Sequence, residues 1–157
     1  SSQTEENLIV EKLFDEELHL VFKPGFLPDR PGSIAFEEVC KLPLVLPGRR
    51  HGLRALLDAH ATAAGLSLNV QLETDSFRIL TNLARRGSYA TILPARSIQT
   101  EINAGAVEIC RIENPSPSRS LCLALPADRP ITTAVRLFAD ELEGAVSGLA
   151  ADRKSVV

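Results

Sequence analysis

Two arginines and a histidine, Arg49, Arg50 and His51, arrive together in the stretch LPGRRHG, just where a helix should begin. A helix N-terminus already carries a partial positive charge, so each added cation there costs about 0.3–1 kcal/mol. An anion docked on the backbone N–H groups of residues 50–53 would offset that cost. Those N–H groups, with the side chains of Arg49, Arg50 and His51, are therefore expected to form a seat for a carboxylate or a similar anion. A plainer account is that the three side chains point into water, where the penalty is small and screened by salt. Arg54 fits that account, since Asp58 stands one turn later as an i,i+4 partner. Thr74, Asp75 and Ser76 close one strand and open the next helix, so they are expected to border the same cleft, although capping alone explains them. Thr91 in GSYATILP offers a hydroxyl, and its β-propensity also accounts for it.

Other chemistry finds little footing. His51 and His60 are nine residues apart, which at about 100° per residue puts them on opposite faces of one helix, so they cannot share a metal. There is no C-x-x-C, H-E-x-x-H or glycine-rich phosphate loop. Cys110 and Cys122 lie in strand patterns that call for small apolar residues, and nothing local activates a thiol. No metal, cofactor or catalytic residue is expected.

The elements that must position these residues follow from patterning. Residues 17–22 read as a strand, preceded by an extended piece at 8–13, and a Pro- and Gly-rich connection follows. Ser33 can cap a short helix over 34–40. LPLVL is a buried strand. The next helix puts Leu53, Leu56, Leu57, His60 and Ala64 on one stripe and stops at Gly65. LSLNVQLE alternates as a strand. Asp75 or Ser76 caps a helix carrying Phe77, Leu80 and Ala84, closed by Arg85, Arg86 and Gly87. YATILP is a strand, and a helix runs from Pro94 to about Ile102. AVEICRI and RSLCLAL are strands. Thr132 or Thr133 caps a last helix with a stripe of Val135, Phe138, Leu142, Ala145 and Leu149. Strands alternating with helices argue an α/β fold with a mostly parallel sheet.

Composition narrows the classes further. The 157 residues are 45% hydrophobic and 4% aromatic, with a formal net charge of −3. Binding nucleic acid by phosphate neutralisation needs a clustered basic excess, which is lacking. Three cysteines without close spacing suit free thiols in a reducing compartment. No apolar run approaches the roughly 18–20 residues of a membrane span, and Ser1 opens no signal-peptide pattern. The chain is expected to be cytoplasmic, and its start without Met suggests a piece of a longer polypeptide.

The pieces EKLFDEELHLVFKPG, LPLVLPGRRHGLRALLDAHATAAGL, LARRGSYATILP and GAVEICRIENPSPSRSLCLALPADRPITTAVRLFADEL occur in an order that resembles the C-terminal effector-binding region of LysR-type transcriptional regulators. The resemblance covers residues 8–142, and RRHGLR is similar to the branch containing nitrogen-assimilation regulators. It implies a type II periplasmic-binding-protein-like fold, two α/β lobes joined by two crossover strands, with the first lobe incomplete. Residues 1–20 and 122–150 would be the remnant of lobe I, residues 21–121 lobe II, and residues 151–157 a disordered tail. It further implies a small effector in the cleft between lobes, which the charge pattern at residues 49–51 makes an anionic metabolite, lined by Pro47, Arg49, Arg50, His51, Gly52, Thr74, Asp75, Ser76 and Thr91. DNA would be bound only through a winged helix-turn-helix domain outside this chain. A homodimer or tetramer is implied, and uncovered lobe I edges predict self-association. The family usually has a second Gly where this chain has Tyr89, which puts the local backbone in question. A solute-binding protein of a transport system, or an enzyme on the same scaffold, would use the same lobes.

Overall fold

The two extended pieces expected at residues 8–13 and 17–22 form one 15-residue strand, β1 (Leu8–Phe22). The computed structural model describes residues 8–29, 31–128 and 130–152, with no side chains at 147 and 149–152. Leu149 of the expected stripe and residues 153–157 of the expected tail therefore lie outside the described side chains and residues. The remaining elements are β2 (Ser33–Ala35), α1 (Phe36–Lys41), β3 (Leu44–Leu46), α2 (Gly52–Ala63), β4 (Val70–Glu73), α3 (Phe77–Arg86), β5 (Thr91–Pro94), α4 (Gln99–Asn103), β6 (Glu108–Glu113), β7 (Ser118–Pro126) and α5 (Thr133–Asp152). The chain divides into two compact units, residues 16–119 and residues 1–15 with 120–157.

In the larger unit β3 pairs in parallel with β4, and a parallel bridge between Leu44 and Ala90 joins β3 to the start of β5. β5 and β6 flank β1, both antiparallel to it, and β2 runs parallel to β6. The order is thus β4-β3-β5-β1-β6-β2, with β2 to β6 in one direction and β1 alone reversed. Parallel neighbours need crossover connections, and α1, α2, α3 and α4 supply them. The core joins Leu18, Leu20, Leu44, Leu46, Ile92 and Ile112 of the sheet to Phe36, Leu53, Leu57 and Leu80 of the helices. Burying each such side chain stabilises by about 1.5–3 kcal/mol.

Helix ends follow the sequence closely. At the end of α2, Leu66 N–H bonds Ala61 O and Gly65 N–H bonds Thr62 O, with Gly65 at φ 68°, a Schellman closure. Gly87 ends α3 at φ 90°, and a Cβ there would lie 2.7 Å from Lys23 Cδ. Tyr89 is not among the described non-glycine residues with positive φ, so its side chain costs no backbone strain.

Other expectations give way to tertiary context. Ser33 pairs with Arg111 in β2 instead of capping α1, because the free edge of β6 recruits that segment. The helix after Pro94 opens as a tight 3₁₀ turn over Ala95–Ile98, where the Ser97 hydroxyl donates to Pro94 O at 2.8 Å. β4 begins only at Val70, since Asn69 bonds Cys40 O and Leu44 N–H irregularly before the ladder starts. Helix stripes are rotated: α2 buries Leu53, Arg54, Leu57 and Ala61 while Ala64 is exposed.

In the smaller unit Thr132 Oγ1 accepts from Val135 N–H at 3.3 Å and caps α5, as expected. Phe138, expected inward, is 64% exposed, whereas Ala139 is buried and Leu142 and Val146 are half-buried. The helix therefore turns a neighbouring face of the same apolar repeat inward. Its last turn extends to Asp152.

Candidate functional site

From the carboxyl end of β3 the chain enters α2 and moves outward to β4; α3 then returns it across β3 to β5. Connections diverge at β3 and β5, and ligands of open α/β sheets sit outside the strand carboxyl ends at such a point. Two helix N-termini are brought together there. Gly48 N–H donates to Asp75 Oδ1 at 2.9 Å, tying the corner after β3 to the corner after β4. Thr74 N–H bonds Leu46 O at 3.1 Å, and the His51 and Phe77 rings stand 5.7 Å apart.

Each helix start is capped from its own corner. His51 Nδ1 accepts from Leu53 N–H at 3.2 Å, and His51 O begins the α2 ladder through Ala55 N–H. Ser76 Oγ accepts from Ile79 N–H, and Thr74 Oγ1 accepts from Ser76 N–H, both at 3.4 Å. Ser76, not Asp75, is the cap of α3. Pro47 is buried, Gly52 is exposed, and Arg49 and Arg50 are exposed without a carboxylate partner among the described residues. Eight of the nine residues singled out in the sequence thus lie on two hydrogen-bonded corners. Asp75 gives that mouth one negative charge of its own, held on a backbone donor.

Arg54 departs from the sequence reading. Asp58 is its partner as expected, with Nε 3.0 Å from both carboxylate oxygens, but Arg54 is only 3% exposed instead of solvated. Its Nη1 also donates to Pro47 O at 3.1 Å and to Glu73 Oε1 at 2.9 Å. Burial would lower its pKa, and the Glu73 and Asp58 carboxylates outweigh that, so the net shift is upward. The group is a permanent cation that braces β3 against β4, a role invisible without knowing that Glu73 lies beside it.

Thr91 lies apart from the two corners. It pairs with Val21 at the start of β5, three residues before the strand's carboxyl end, and is wholly buried. Its Oγ1 and His19 Nδ1 are buried without a partner among the described residues. Sequence reasoning missed the end of β5, where Pro94 and Ser97 form the third corner; the carboxyl-end rule applied to TILPARS could have found it.

Burial, with Glu37 nearby, raises the Cys40 thiol pKa; burial, with Glu113 nearby, raises that of Cys110. Among the described residues no three metal-ligating side chains cluster. No described helix is long and apolar enough to cross a membrane.

The chain is 24% identical over 143 residues to a probable RuBisCO transcriptional regulator of Cyanophora paradoxa, covering 89% of this chain and 44% of that protein. It is 23% identical over 153 residues to a probable nitrogen assimilation transcriptional activator of Synechococcus elongatus, covering 98% and 50%. The chain therefore spans about half the length of the curated relatives it matches. Among solved structures, the Synechocystis PCC6803 CcmR regulatory domain in complex with 2-PG superposes with a TM-score of 0.80 at 16% identity, over 93% of this chain and 70% of that one. The effector binding domain of QuiR in complex with shikimate gives 0.76 at 18% identity, over 89% and 66%. These likenesses establish the type II periplasmic-binding-protein-like fold. The sequence pattern of the LysR substrate binding domain is matched by residues 1–147, and the chain belongs to that family.

Proposed function

We propose that this chain senses a small anionic metabolite for a LysR-type DNA-binding transcriptional regulator. The observation that carries the reading is the pair of joined helix N-termini at the point where the sheet connections diverge, flanked by Arg49 and Arg50, which have no carboxylate partner among the described residues. Arg49, Arg50 and His51 seat the anion, with Gly52 exposing the first amide of α2. The Ser76 hydroxyl, whose oxygen accepts from Ile79, keeps its proton to donate. Pro47, Thr74 and Asp75 hold the corners in place, and Thr91 takes part only through a movement that uncovers its hydroxyl. The metabolite would bias two arrangements of a cytoplasmic homodimer or tetramer and of DNA-binding heads outside this chain. Both curated relatives are regulators, which favours this reading over transport or enzymatic use of the same lobes. Titration calorimetry on a full-length regulator carrying this domain, with shikimate and 2-PG as first probes and then further anionic metabolites, tests it. A binder whose affinity is unchanged by Arg49→Ala with Arg50→Ala removes the anion seat.

A further inference from the structure

Arg49 also lines a cavity of about 330 Å³ beside α2, which the effector reading does not use. Arg54, Asp58, Thr62 and Ser67 stand on the same wall. The volume is at the small end of ligand pockets.

The hydrogen-bond inventory of that wall is incomplete in a specific way. Arg54 spends Nε on Asp58 and Nη1 on Pro47 O and Glu73, which leaves Nη2 with no acceptor among the described residues. Arg49 has no carboxylate partner, and neither the Thr62 nor the Ser67 hydroxyl has a hydrogen bond, among the same residues. Two guanidinium groups and two hydroxyls therefore offer donors. Asp58 is the one carboxylate on the wall, and its oxygens, each holding one contact to Nε, keep lone pairs to accept with. Glu73, the other partner of Arg54, is not among the lining residues.

A bare anion would meet those donors but would also face the Asp58 charge. An oxyanion that retains a proton resolves the conflict, since its O–H donates to Asp58 while its other oxygens accept from the arginines. Free inorganic phosphate keeps at least one O–H throughout the neutral range, whereas sulfate has none and a phosphate monoester loses its last proton at about pH 6. We propose that this cavity is a second anion site, running along α2 from the mouth and sharing Arg49 with it, selective for a compact proton-bearing oxyanion such as hydrogen phosphate.

The test is an amide ¹H–¹⁵N titration of the 157-residue chain at pH 7 with inorganic phosphate, methyl phosphate and sulfate at matched ionic strength. Expected are saturable phosphate shifts centred on Thr62 and Ser67, with sulfate at least tenfold weaker. Ser67→Asp, at an exposed loop position, puts a second carboxylate in the cavity and should abolish them without altering the melting curve. Methyl phosphate, whose second pKa of about 6 leaves it mostly without a proton at pH 7, should bind more weakly than phosphate; binding as tight as phosphate's overturns the role of Asp58. Sulfate binding as tightly as phosphate overturns the role of Asp58. Shifts centred on Gly48, His51 and Ser76, or full binding by Ser67→Asp, overturn the site itself and leave the mouth reading standing.

Discussion

Thr91→Val should make the protein more stable, although it removes a polar group from the middle of a sheet. The Thr91 hydroxyl is wholly buried and has no partner among the described residues. Stranding such a group costs about 1–3 kcal/mol. Valine has nearly the same shape, keeps the stiff β-branched side chain suited to a strand, and replaces the hydroxyl with a methyl worth about 0.8 kcal/mol on burial. After some loss to imperfect packing, a net gain of about 1–2 kcal/mol remains, or several degrees in Tm for a chain of this size. Urea unfolding followed by far-UV circular dichroism, with the slope m unchanged, measures it. Thr81→Val is the matched control. Thr81 is also buried, but its hydroxyl donates to Phe77 O at 2.8 Å, so the same exchange there should cost about 1 kcal/mol. If Thr91→Val costs as much as Thr81→Val, the hydroxyl has a partner and the reasoning fails.

Three further outcomes follow from the geometry. Arg54→Met should cost about 2 kcal/mol, less than a fully buried pair because Asp58 and Glu73 are partly solvated; Arg54→Lys should not rescue it, since one ammonium cannot reach three acceptors from that stem. A melt as high as the unsubstituted protein's for either variant would contradict the bracing role. Glu143 on α5 is held above the usual carboxylate range by Glu11, then by burial and Asp140. A raised folded pKa means stability is greatest below the unfolded pKa and falls as pH rises through the folded one. Glu143→Gln should therefore raise Tm at pH 7 and leave it unchanged near pH 3; an equal gain at both would point to packing. Finally, Cys122 is exposed while Cys40 and Cys110 are buried with raised pKa values. Ellman's reagent should react quickly with one thiol and with the other two only on unfolding, and three fast equivalents would disprove the burial.

Local chemistry was readable wherever it acts within a few residues. Gly65, Gly87, Ser76 and Thr132 end or begin helices as their types require, and the run LVL is a buried strand. What depends on distant partners was not. Ser33 reads as a cap until β6 offers it an edge, and Arg54 reads as a surface ion pair until Glu73 and Pro47 O close around it. The α5 repeat contains two adjacent apolar faces, and periodicity alone cannot say which turns inward, hence the outward Phe138. At the candidate site, the residues flanking β3 and β4 stand out in the sequence through a charge pattern and a cap pattern, and the fold brings them onto two joined corners. Thr91 was chosen for its side chain, when strand direction would have chosen the other end of β5.

The Asp75–Gly48 clasp bears on how a signal could leave this site. The corner after β3 is already fastened to the corner after β4, so an anion docking there as proposed would have less backbone to order and less conformational entropy to lose. The same rigidity closes one route of communication, because a loop that is already set cannot report occupancy by becoming set. If the proposed anion seat is occupied, the bond between the corners would carry displacement of one to the other, which makes Asp75→Ala a means of uncoupling them.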